Sequence, residues 1–211
     1  SLGEVNTYEG ESMLSTINPF EMSVDVGYSR KLSEKYSMGV VLRYIYSDLG
    51  YSDMNTGDLS SSASAFSADL SGYYTTFPVI GRNECQWSLG FNLSNIGSKV
   101  SYNKGNDPAY LPANLRIGTA FTFPLAEGNN LTLALDANRI LVPAKPRLED
   151  YDGDNYEWEQ AVEDWKNKSS ISGIFDSFKD NFAKRITYSV GAEYAYNQQF
   201  FLRGGYYYES K

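Results

Sequence analysis

The sequence predicts an all-β protein, an antiparallel up-and-down transmembrane β-barrel with one long, partly helical loop. Three observations predict it. Eight runs of about 10 to 13 residues alternate apolar and polar side chains with a period of two, the mark of strands with one apolar face. These runs exceed the roughly 5 or 6 residues of an ordinary soluble strand and approach the roughly 9 to 11 of a tilted membrane strand. The connections between them alternate in length, as they do in barrels with short periplasmic turns and long exterior loops.

Taken in order, residues 21–30 place Met22, Val24, Val26 and Tyr28 on one side, and residues 36–46 place Met38, Val40, Leu42, Tyr44 and Tyr46 together. Phe66, Ala68, Leu70, Gly72 and Tyr74 follow within 62–74, then Trp87, Leu89, Phe91 and Leu93 within 85–95. The fifth run holds Leu115, Ile117, Thr119, Phe121 and Phe123, and the sixth Leu131, Leu133, Leu135 and Ala137. The seventh holds Ile186, Tyr188, Val190, Ala192, Tyr194 and Tyr196, and the eighth Phe200, Leu202, Gly204, Tyr206 and Tyr208.

A soluble sandwich would show the same alternation with its polar face in water. That face would then be rich in Lys and Glu, which also blunt sheet edges. Here all ten Lys lie outside the eight runs, and the polar face is mostly Gly, Ser, Ala, Thr and Asn. Its sparse charges have both signs: Asp25, Arg43, Asp69, Arg116, Asp136, Glu193 and Arg203, with Asn92 at the equivalent place in the remaining run. Such a face suits a lumen, where these residues are expected to form a charge ladder across neighbouring strands.

The connections are 31–35, 47–61, 75–84, 96–112, 124–130, 141–185 and 197–198, which puts 47–61, 96–112 and 141–185 on the exterior side. Residues 1–20 are expected to be an exterior loop descending into the first strand. Tyr and Trp gather near strand ends, as an interfacial girdle requires.

Composition narrows the function. The 211 residues suit a single domain, 1–211. The chain has no His and one Cys, Cys85, which excludes His-based catalysis, His-ligated metal and internal disulfides. A net charge of −8 argues against nucleic-acid partners. Eight acidic and no basic residues lie between Glu149 and Asp164, so the imbalance sits in one insertion. Asp150, Asp152 and Asp154 do not fit a helix-loop-helix calcium site, because Gly153 stands fourth and Ala161 takes the place of the bidentate Glu. No catalytic residue, cofactor or metal site is expected.

That insertion, 141–185, is too long to lack structure of its own. Trp158, Ala161, Val162 and Trp165 have helical spacing, as do Ile171, Ile174, Phe175, Phe178 and Phe182, so two short amphipathic helices are expected. Asp154 with Glu157 caps the first. Aromatics beside an acidic segment make Trp158, Trp165, Phe175 and Phe178 the candidate partner-binding residues. The bland alternative is that they only pack the loop onto the barrel rim.

Several stretches are familiar as sequence. Val26-Gly27-Tyr28-Ser29-Arg30-Lys31-Leu32-Ser33, Leu42-Arg43-Tyr44-Ile45-Tyr46-Ser47-Asp48-Leu49, Asn95-Ile96-Gly97-Ser98-Lys99, Leu111-Pro112-Ala113-Asn114-Leu115-Arg116, Ala134-Leu135-Asp136-Ala137-Asn138-Arg139-Ile140-Leu141-Val142-Pro143 and Ser189-Val190-Gly191-Ala192-Glu193-Tyr194 closely resemble the PorV family of the Bacteroidetes type IX secretion system. The resemblance implies an outer-membrane barrel of about 14 strands, similar to the FadL fatty-acid transporters, of which the eight runs are an internal part. It implies a protein that binds secreted cargo by a C-terminal signal domain, takes it from the translocon barrel and passes it to the surface sortase. The competing function is FadL-like transport of hydrophobic small molecules, which the small, polar lumen face disfavours. A lipid-modifying enzyme is the least favoured, since no nucleophile and base come together.

Overall fold

The computed structural model describes residues 5–9, 12–48, 62–102, 108–179 and 186–209. It opens with an antiparallel hairpin, β1 (Val5–Glu9) and β2 (Ser12–Ile17), where the sequence predicted an exterior loop over 1–20. Val5 pairs with Ile17, and Thr7, Tyr8 and Thr16 are likewise residues that favour strands, so this short pairing interrupts the expected loop.

Eight long strands follow in one sheet. They are β3 (Phe20–Lys31), β4 (Tyr36–Asp48) and β5 (Ala63–Thr76), then β8 (Gln86–Gly97), β9 (Asn114–Ala126), β10 (Asn129–Ile140), β11 (Ile186–Tyr196) and β12 (Phe200–Glu209). The intervening β6 (Val79–Ile80) and β7 (Asn83–Glu84) form a small hairpin inside the connection 75–84, turning at Gly81 with φ +66°. The order β12-β11-β10-β9-β8-β5-β4-β3 pairs each long strand antiparallel to its sequence neighbour, the up-and-down arrangement. The sheet is open, with β3 and β12 at its edges.

The register keeps the two faces separate across all eight strands. Val26 faces Leu42, Leu42 faces Ala68, Leu70 faces Leu93, Leu93 faces Leu115, Ala137 faces Ile117 and Tyr188, and Tyr188 faces Tyr208. The apolar side is uncovered over most of its extent: Val26 is 69% exposed, Phe66 67% and Leu202 75%. A soluble protein rarely leaves so large a contiguous apolar patch bare, whereas a barrel wall must.

Aromatics crowd both ends of this apolar face. At the short-turn end stand Tyr28, Tyr36, Tyr74, Trp87, Phe123 and Tyr196; at the other end stand Phe20, Tyr46, Phe66, Tyr188 and Tyr208. Trp87 donates its indole N–H to Thr119 Oγ1 at 2.9 Å, which satisfies its one polar group on the apolar face.

Two strands run past the ends expected for them. The expected connection 124–130 shrinks to Glu127 and Gly128, because β9 runs through Pro124 to Ala126. Pro124 cannot donate to the ladder; Asn130 pairs with Pro124 and Asn129 with Ala126, so Leu125 is the extra residue of a bulge, where proline is tolerated. β3 likewise runs on through Lys31, one lysine the sequence left in a connection.

At the end of β8 Gly97 lies against the Phe66 carbonyl oxygen and the Ser67 Cα, backbone atoms that leave no room for a Cβ. Gly97→Val should therefore destabilise the folded protein by about 1–3 kcal/mol. Unfolding in urea after refolding into detergent measures it, with Gly204→Val, where nothing lies within 4 Å of the added Cβ, as the mild control.

Candidate functional site

Two features stand out: a charged cluster on the polar face and a helical cap on the exterior connections. The cluster centres on Arg43. Its Nε and Nη2 donate to the two carboxylate oxygens of Asp25 at 2.9 and 3.2 Å, Nη2 also donates to Asp69 at 3.3 Å, and Nη1 donates to Asn95 Oδ1 at 2.7 Å. The planar guanidinium spans four strands because its donors fan out in a fixed fork.

Asn95 was missed by the sequence reading. It sits where β8 shifts register against β5, with φ 58°, a left-handed conformation that Asn tolerates better than most residues. Its N–H donates to Asp69 Oδ1 at 2.8 Å and its Nδ2 donates to the Pro112 carbonyl at 3.2 Å, so the cluster holds the connection before β9 as well. The available signal was a slip of phase: Leu93 and Ile96 share the apolar face though three residues apart.

The other ladder residues divide. Arg203 forms an ion pair with Glu193 on the neighbouring strand. Arg116 lies opposite Asn92 in the register, and it joins Asp136 in lining a cavity of about 300 Å³ with Tyr73 and Ser88. Among the described residues no ion pair links Arg116 with Asp136. Glu21, absent from the expected set, shares the polar face and accepts a hydrogen bond from Ser47 at 3.0 Å.

The long connection after β10 folds into a 3-10 turn (Leu148–Tyr151), α1 (Asn155–Asn167) and α2 (Ser170–Lys179). Asp154 caps α1 by accepting from the N–H groups of Tyr156 at 2.9 Å and Glu157 at 3.2 Å. Phe182 lies outside the described residues. The two tryptophans turn inward: Trp158 donates to the Pro146 carbonyl at 3.2 Å, and Trp165 donates to the Pro143 carbonyl at 3.1 Å while meeting the Tyr110 ring edge-on at 5.1 Å. Phe175 and Phe178 remain exposed.

The end of α1 is held by the connection between β8 and β9. Lys99 donates to the carbonyls of Trp165 at 3.3 Å and Lys166 at 2.7 Å, a cation at a helix C-terminus, and it lies 4.2 Å from the Tyr110 ring centre. Burial pushes Lys99 below the ordinary lysine value and Tyr110 above the ordinary tyrosine value. Lys168 pairs with Asp176 at 2.7 Å across the α1–α2 junction, and that hydrogen bond raises Lys168. A raised cation stabilises fully below its unfolded value and loses that contribution only as pH climbs through the folded value, so this clasp holds throughout the neutral range.

α2 rests on the apolar side of the sheet. Ile174, 9% exposed, joins Ala113 and Leu141 in a small core against Leu93, Ile96 and Leu115. Arg139, which shares the apolar face with Leu115 and Ile186, is 3% exposed and donates to the Ser177 carbonyl.

The family model for PorV, described as type IX secretion system protein PorV, matches residues 1–147. The chain belongs to the PorV family. Its members are outer-membrane components of the type IX secretion system. The match spans β1 to β10 and ends before α1, so the helical cap lies beyond the matched segment. No curated protein matches the chain at a significant level.

Arg43→Met should leave Asp25 and Asp69 without their shared partner and destabilise the protein by roughly 1–3 kcal/mol. A fall in the melting temperature in detergent, larger than for Arg203→Met at the exposed pair, is the expected result. Lys99→Met should free the last turn of α1, seen as faster proteolysis between α1 and α2 with an unchanged strand signal in circular dichroism.

Proposed function

We propose that this chain is a cargo shuttle of the type IX secretion system. It binds secreted proteins through their C-terminal signal domain, accepts them from the translocon barrel and delivers them to the sortase complex at the surface. The match to the PorV family over residues 1–147 carries this reading. Its wall sits in outer-membrane lipid, which the uncovered apolar face of the sheet supports.

The exterior cap supplies the partner surface. α1 presents Glu157, Glu159, Glu163 and Asp164 on its exposed sides, an acidic face suited to steering a basic patch of a partner. Trp158 and Trp165 act through the shape of the loop, since both indoles are committed to loop carbonyls.

Affinity purification of the tagged full-length protein from outer membranes in mild detergent, followed by mass spectrometry, tests the reading. Secreted proteins sharing a C-terminal domain, or a very large barrel, are the expected companions; bound fatty acid without protein would replace the shuttle by a transporter. Trp158→Ala and Trp165→Ala should each lower the recovered cargo several-fold while the barrel stays folded.

A further inference from the structure

The aromatic girdle at the exterior end of the apolar face has a gap. The last two outward positions there are Leu93 and Ile96 on β8, Leu115 and Ile117 on β9, and Ala137 and Arg139 on β10, none of them aromatic. The strands on either side of this trio place Phe66 or Tyr188 at that end.

α2 covers this gap. On its buried edge Ile174 and Ser177 sit over the strand ends and shield Arg139, and Gly173 lies against Tyr110 and Pro143. At about 100° per residue, Ile171, Phe175 and Phe178 fall together on the flank next to that edge, and Ser172 and Asp176 fall on the remaining side. Ile171 is 61% exposed and Phe175 66%.

We propose that α2 is an interfacial membrane helix: its Ile171, Phe175 and Phe178 flank inserts among the acyl chains of the outer leaflet and completes the girdle across β8–β10. The inference rests on the apolar face of the sheet being the lipid-facing wall. Continuity decides for lipid over a protein partner, because the stripe borders the same apolar face and has a polar side left over for water. The three-sided division into sheet, lipid and water is that of a helix lying in the interface plane.

The test uses the full-length protein in a Cys85→Ala background, reconstituted in phosphatidylcholine vesicles whose acyl chains carry bromine near the headgroup. An environment-sensitive fluorophore is attached at Phe175→Cys, at Ile171→Cys, at Leu133→Cys on the sheet, and at Glu159→Cys on α1. Loss of fluorescence to the brominated lipid at positions 133, 171 and 175, with position 159 quenched only by aqueous iodide, is the expected result. Quenching by lipid at 133 with iodide quenching at 171 and 175 would overturn the interfacial helix and leave the barrel wall standing. Iodide quenching at 133 would overturn the wall itself and the helix with it.

Discussion

Everything in this structure depends on the eight long strands staying in phase. Side chains alternate with a period of two, so a slip of one residue would send Val26, Leu42 and Leu133 to the polar face and Asp25, Arg43 and Asp136 to the apolar one. In a bilayer that exchange is prohibitive, since a cation on the lipid face costs about 2–4 kcal/mol at mid-depth. The extra residues are therefore absorbed in bulges, at Leu125 and beside Asn95, which restore the phase within one step.

The polar face follows from the same constraint. A few charges of both signs stand among small residues, and Arg43 gathers two carboxylates and an amide from three other strands. Each lost hydrogen bond to a charged group costs roughly 1.5–3 kcal/mol, so this hub fixes the relative positions of β3, β4, β5 and β8 more firmly than backbone pairing alone. Through Asn95 and Pro112 the hub reaches the exterior connection that also carries Lys99 and Tyr110. The lumen side and the helical cap are thus parts of one bonded system.

The eight strands, their faces and the two helices were legible because each has a strong period and, for α1, a capping aspartate. Arg43 with Asp25 and Asp69 was legible too, since opposite charges on adjacent strands of one face have few other partners. The short hairpins were not, because pieces of two to six residues carry too little pattern. Pro124 hid the true end of β9, because a proline reads as a stop unless a bulge accommodates it. For Trp158 and Trp165 packing was one of two readings open in the sequence, and only the structure supplies the carbonyls they meet, because helical spacing places them on one side of α1 but does not say that Pro146 and Pro143 wait there. Arg139 reads as a misplaced charge until α2 covers it.

In the proposed membrane setting one face of this sheet meets lipid and the other meets water. A cysteine scan through residues 131–138 of β10, in native outer membranes with a membrane-impermeant maleimide, tests it directly. Labelling at Thr132, Ala134, Asp136 and Asn138, with protection at Leu131, Leu133, Leu135 and Ala137, is the expected result. Uniform labelling, or protection in the opposite phase, would contradict it.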